Sequence, residues 1–134
     1  MTQTQRIGTP WESVETPALV ADLTLINRNL ERMAGYFRDR TAKLRPHFKS
    51  HKCVELARRQ MVSGACGITC AKLAEAEHLV AGGLKDVLIA NQVVGAEKAR
   101  RLARLNRSGV VRSAVDSVEN VRELSEAARA EGVT

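Results

Sequence analysis

The stretch Leu44-Arg45-Pro46-His47-Phe48-Lys49-Ser50-His51-Lys52 packs five groups that carry charge or move protons into nine residues. A lysine in such company can be a nucleophile. Its neutral amine adds to a carbonyl to give a Schiff base, and burial or nearby cations favour that neutral form. Side chains alternate faces along a strand. If the stretch is a strand, Arg45, His47, Lys49 and His51 share one face, and Leu44, Pro46, Phe48 and Ser50 the other. Turning that basic face into a core costs desolvation unless anionic or polar partners meet it. A phosphate-bearing aldehyde would be such a partner, and the surrounding cations should lower the pKa of Lys49. The plainer reading is an edge strand with a solvated basic face, which Pro46 favours because proline donates no ladder bond.

Other chemistry is sparse. Gly64-Ala65-Cys66-Gly67 is neither a Walker loop nor a dinucleotide fingerprint, and Gly82-Gly83 reads as a helix stop. No zinc-protease helix or Ser-His-Asp arrangement is visible. The three cysteines, Cys53, Cys66 and Cys70, are an odd number without zinc spacing. They read as small buried thiols, with no metal site in this stretch of chain. The net charge of +6 invites nucleic acid, but only 3% of residues are aromatic and no binding motif is present. The densest basic group, Lys98, Arg100, Arg101, Arg104 and Arg107, reads as the solvated face of one helix. No apolar run is long enough to span a bilayer. Met1 to Arg6 lacks the apolar centre of a signal peptide, so a cytoplasmic location is expected.

The elements that must position the basic stretch follow from periodicity. After a polar segment, residues 1–15, five short β-like runs alternate with helical stripes: 17–21, 44–51, 67–70, 86–91 and 110–116. The stripe Leu23, Ile26, Leu30, Met33, Phe37 starts after a cap at Asp22 or Thr24, and Ser117 caps the last helix, which Gly132 closes. The run at 86–91 is apolar on both faces, as a covered parallel strand is. Repeated βα units without hairpin signals predict a parallel α/β fold. Two architectures fit. One is the first five βα units of a (β/α)8 TIM-type barrel, which takes about 250 residues when whole. The other is a complete five-stranded doubly wound sheet.

Four stretches occur in an order that resembles one family. They are Glu15-Thr16-Pro17-Ala18-Leu19-Val20, Leu44 to Cys53, Gly67-Ile68-Thr69-Cys70-Ala71-Lys72, and Asp86 to Gly95. The chain resembles the D-threonine aldolase and D-serine dehydratase family of pyridoxal-phosphate (PLP) enzymes, which share the alanine-racemase-type barrel. The Arg-Pro-His-x-Lys-x-His-Lys core is the most specific part. The resemblance implies that residues 16–134 are the N-terminal part of the PLP-binding barrel, and that Lys49 holds the cofactor. Lys52 is the rival lysine. His47 and Arg45 are expected beside the cofactor, and Asn91, with Asp116 by the same topological argument, at the carboxyl ends of strands. The implied reaction is retro-aldol cleavage of D-3-hydroxy amino acids to glycine and an aldehyde. The alternatives are dehydration of a D-serine-like substrate and a non-catalytic PLP-binding barrel. The resemblance further implies a homodimer for the full-length protein, and a divalent metal whose ligands are expected beyond Thr134.

Overall fold

The computed structural model describes residues 10–133. The expected absence of a signal at Met1–Arg6 and most of the polar segment 1–15 therefore lie outside them. Five helices and three strands follow the expected periods: α1 (Leu23–Phe37), α2 (Val54–Val62), β1 (Ile68–Cys70), α3 (Leu73–Ala81), β2 (Asp86–Gln92), α4 (Ala96–Leu105), β3 (Val110–Ala114) and α5 (Val118–Glu131). Asp22 caps α1 by accepting the Thr24 and Leu25 amides at 2.8 and 3.1 Å. Ser117 caps α5, and Gly132 ends it in the left-handed conformation.

The sheet is parallel, in the order β1-β2-β3. Residues 44–47 run beside β1 as a further, sparsely bonded lane. The Cys66 amide donates to the Leu44 carbonyl at 2.9 Å and the Thr69 amide to the Pro46 carbonyl at 2.8 Å, while His47 and Thr69 form an isolated parallel bridge. Pro46 has no N–H to return, which thins this ladder. The strands thus follow one another without reversal. That is the order of a barrel wall, and it excludes the doubly wound alternative, which needs a reversal in strand order. The chain is an α/β piece of a barrel-type fold.

Two of the expected β runs are corrected. Residues 17–21 form no strand among the described residues, and Leu19 is 96% exposed. A strand exists only with a neighbour to bond, and here the segment has none. The second run stops at His47 rather than His51, because the chain turns into a 3-10 helix at Phe48–Ser50.

One face of the sheet meets the helices. Ile68, Cys70, Val87, Ile89 and Val111 are buried there, against Ala57, Ala76, Leu79 and Leu102. Each large apolar side chain so buried contributes about 1.5–3 kcal/mol. Asn106 laces the end of α4 to β3: its amide group donates to the Val111 carbonyl at 3.0 Å and accepts the Val111 N–H at 2.9 Å. The basic group on α4 is not simply solvated. Arg101 makes a two-bond pair with Glu77 of α3, and Arg104 and Arg107 both reach Glu131 of α5. None of the described helices is long and apolar enough to cross a membrane.

The opposite face of the sheet is tied at its amino-terminal end. Arg45 reaches Asp86 at 2.7 Å and Arg112 reaches the same carboxylate oxygen at 2.9 Å. Arg45 passes over Gly67, whose φ is +152° and where a Cβ would collide with the guanidinium. The hydrogen bond from Arg45, helped by both positive charges, outweighs partial burial and holds the Asp86 carboxyl below the ordinary aspartate range. A carboxyl depressed on folding stabilises the fold above its unfolded pKa, and that stabilisation is lost as pH falls through the folded value. The thermal midpoint is therefore expected to drop below about pH 4. Asp86→Asn is expected to start lower at neutral pH and to lose less on acidification. Parallel acid limbs in a differential scan would remove Asp86 from this account.

Candidate active site

The carboxyl ends of the strands form the candidate site. The turn that carries Lys49 is built by local hydrogen bonds. His47 Nδ1 accepts the Lys49 amide at 3.2 Å, and the Ser50 hydroxyl donates to the His47 carbonyl at 3.0 Å. The amides of His51 and Lys52 both donate to the Phe48 carbonyl, at 3.2 and 2.8 Å. Such side-chain bonds to neighbouring backbone compete with a ladder, and here they win. Phe48 is 2% exposed and anchors the turn in the core, with its ring edge-on to His51 at 5.5 Å. Lys52 closes the turn with φ +49°. His51 Nδ1 then accepts the Cys53 amide at 3.1 Å, one residue before α2 begins.

The two lysines of this turn differ. Lys49 is exposed, and among the described residues its ammonium makes no hydrogen bond or ion pair. Lys52 lies 3.9 Å from Glu75, a mostly buried carboxylate that also accepts the Ala71 amide at 2.8 Å. His47 sits between opposing influences. Burial and the charge of Lys49 lower its pKa, and Glu75 works the other way. With Nδ1 accepting the Lys49 amide, the neutral ring carries its proton on Nε2.

The remaining expected residues divide between the two ends of the sheet. Asn91 and Asp116 lie at the carboxyl end with His47 and Lys49, and Gln92 joins them: its amide N–H donates to Asn91 Oδ1 at 3.0 Å and its Nε2 to Asp116 Oδ2 at 2.9 Å. Sequence reasoning did not single out Gln92, although its place one residue after Asn91 at a strand end was visible. Arg45 lies at the amino end, committed to Asp86. Of the three thiols, only Cys70 is fully buried, and burial first, then Glu75, pushes it up to about 11. Cys53 is half-buried and Cys66 exposed, which corrects the expectation of three buried thiols. Cys66 lies in the turn before β1. Among the described residues no three His, Cys, Asp or Glu side chains are grouped to hold a metal.

The sequence pattern of the alanine racemase N-terminal domain matches residues 21–134. The chain belongs to that family. D-threonine aldolase from Arthrobacter sp is 42% identical over 120 residues, covering 90% of this chain and 32% of the relative. 3-Hydroxy-D-aspartate aldolase from Paracoccus denitrificans is 39% identical over 127 residues, covering 93% of this chain and 33% of the relative. D-threo-3-hydroxyaspartate dehydratase from Delftia sp. is 34% identical over 120 residues, covering 90% and 32%. The solved D-threonine aldolase from Filomicrobium marinum superposes with a TM-score of 0.94 at 45% identity, over 100% of this chain and 36% of that one. This alanine racemase N-terminal domain thus spans about a third of the length of the relatives it matches.

In this domain the opposed effects on His47 can be separated by substitution. Lys49→Met is expected to raise the His47 pKa, and Glu75→Gln to lower it, in an NMR titration of the ring. Equal titration curves in all three proteins would show that neither charge reaches the imidazole.

Proposed function

We propose that the whole protein carrying this domain is a PLP-dependent lyase that cleaves D-3-hydroxy amino acids to glycine and an aldehyde, with Lys49 as the residue that holds the cofactor. The observation that carries the reading is the difference between the two lysines. Lys49 offers an exposed amine without an ionic partner among the described residues, at the end of the barrel wall where active sites of this architecture lie. Lys52 faces Glu75. A free amine suits an aldehyde cofactor, so the donor set fits PLP at this point.

When bound, PLP supplies an electron sink for breaking a bond at the substrate α-carbon. The chain's own residues do the positioning. The 3-10 turn, pinned by Phe48, fixes the backbone from which Lys49 extends. His47, leaning neutral, offers an Nε2–H donor beside it, and Asn91 and Asp116, joined through Gln92, line the same end of the sheet. Arg45, committed to Asp86 at the far end, is assigned to the wall rather than to the cofactor. The divalent metal expected of the family draws none of its ligands from the described residues in this reading.

The printed names of two relatives, D-threonine aldolase and 3-hydroxy-D-aspartate aldolase, support aldol cleavage. The Delftia relative supports a second reading, loss of water from the same class of substrate. Products separate the two: glycine and an aldehyde for the aldolase, an oxo acid and ammonia for the dehydratase.

Treating the PLP-loaded whole protein with borohydride and mapping its peptides is expected to place the label on Lys49. Lys49→Ala is expected to lose the label and at least roughly 10³-fold in turnover, and Lys52→Ala to keep the label. A label on Lys52, or on neither, would sink the assignment.

A further inference from the structure

Asn120 is the one buried polar side chain among the described residues, at 5% exposed. It lies in the first turn of α5, where its own amide is capped by the Ser117 hydroxyl at 3.1 Å. Its Nδ2 donates to the Val93 carbonyl at 2.8 Å, and its Oδ1 is buried without a partner. A buried amide with an unpaired oxygen costs stability that a leucine of similar size would avoid. The bond to Val93 must therefore do something other than stabilise the core at least expense. One turn further along α5, on the same face, Glu123 accepts the Gly95 amide at 3.0 Å. Gly95 precedes α4 with φ +100° and no side-chain cap of its own. Just before α5, Asp116 accepts from Gln92 at 2.9 Å. The segment from Gln92 to Gly95 is thus held at three points, once by Asp116 between β3 and α5 and twice by α5 itself.

The sheet holds the end of β2 irregularly, and Val93 to Gly95 lie beyond it. The ladder between β2 and β3 pairs Asp86 through Ile89 in order, then shifts register before Gln92 meets Ala114. Irregularities of this kind re-aim side chains beside functional sites, and they leave the residues within them without regular ladder bonds. Ala90 and Asn91 fall in the gap. The backbone just after them, at Val93 and Gly95, is held instead by α5.

We propose that Asn120 and Glu123 are positioning residues for the Lys49 site: they clamp the Val93–Gly95 segment directly after β2, so that Asn91 and Gln92 at the strand end stand at the mouth where cofactor binds. The inference rests on the reading of Lys49 as the PLP lysine. It predicts that neither residue touches cofactor, and that both act through the loop backbone.

The test uses the whole protein with Asn120→Leu, Glu123→Ala and Glu123→Gln. Amide hydrogen exchange is measured across residues 91–95 and, as an internal control, across β1. PLP affinity is measured by absorbance titration. Asn120→Leu and Glu123→Ala are expected to speed exchange in the loop roughly 10-fold or more while β1 is unchanged, and to weaken PLP roughly 10-fold, since a displacement near 1 Å is costly at a preorganised site. Glu123→Gln keeps an acceptor for Gly95 and is expected to behave as the parent. If Asn120→Leu does not fold, Glu123→Ala decides alone. Unchanged loop exchange overturns the clamp, and a loosened loop with parental PLP affinity overturns its positioning role. A parent protein that takes up no PLP at Lys49 fails in the control, which identifies the cofactor reading as the part at fault and ends the positioning role with it.

Discussion

His47 accepts the Lys49 amide on its ring nitrogen and the Ser50 hydroxyl on its carbonyl, and these two bonds take the chain out of the sheet. The arrangement at the mouth depends on that departure. Had the strand run on to His51, Lys49 would have been one more residue of a laddered wall. Because it turns, Lys49 sits on a short, tightly bonded arc whose one large apolar side chain, Phe48, is driven into the core. The arc is bonded at its base and anchored by Phe48, with the Lys49 side chain exposed at its tip.

Charge is distributed around this arc so that, among the described residues, Lys49 is left unpaired. Glu75 is mostly buried between the turn and the start of α3, where it accepts the Ala71 amide and faces Lys52. The same carboxylate opposes the effect of Lys49 on His47 and adds to the burial that keeps the Cys70 thiol protonated. One acid therefore anchors a helix start, faces Lys52, and contributes to the electrostatic background of a histidine and a thiol.

Much of this was legible in the residue order. Helices with a 3.6-residue apolar stripe and a capping residue, such as α1 behind Asp22 and α5 behind Ser117, declare themselves because every signal is local. The run at 86–91 was legible because both of its faces are apolar. The run at 17–21 was over-read, since composition says that a segment can be a strand but not that a neighbour is there to pair with it. Alternation assigned Arg45, His47, Lys49 and His51 to one face, but the period fails where side-chain bonds to backbone intervene. The partner of Arg45 lies 41 residues away, and Asn120 reaches Val93 across 27. No local pattern announces such pairs, so neither the Arg45–Asp86 pair nor the reach of Asn120 to Val93 is legible in the residue order.

The two ends of the sheet are built on different principles, and the difference bears on what each is for. At the amino end, Arg45, Asp86 and Arg112 share one carboxylate oxygen, Gly67 yields its Cβ space to a guanidinium, and Asn106 stitches α4 to β3. These contacts join secondary structure directly to secondary structure and leave nothing reactive free. At the carboxyl end, the bonds go instead to loop backbone: His47 to Lys49, Glu75 to Ala71, Asn120 to Val93, Glu123 to Gly95. Side chains are spent there on fixing the path of loops, and Lys49 is left without a partner among the described residues. In a barrel wall, stability can be concentrated at one end and chemistry at the other because the strands between them are stiff. The buried row from Ile68 through Val87 to Val111 joins the two ends, and α5 fixes the path of the chain where β2 leaves the sheet.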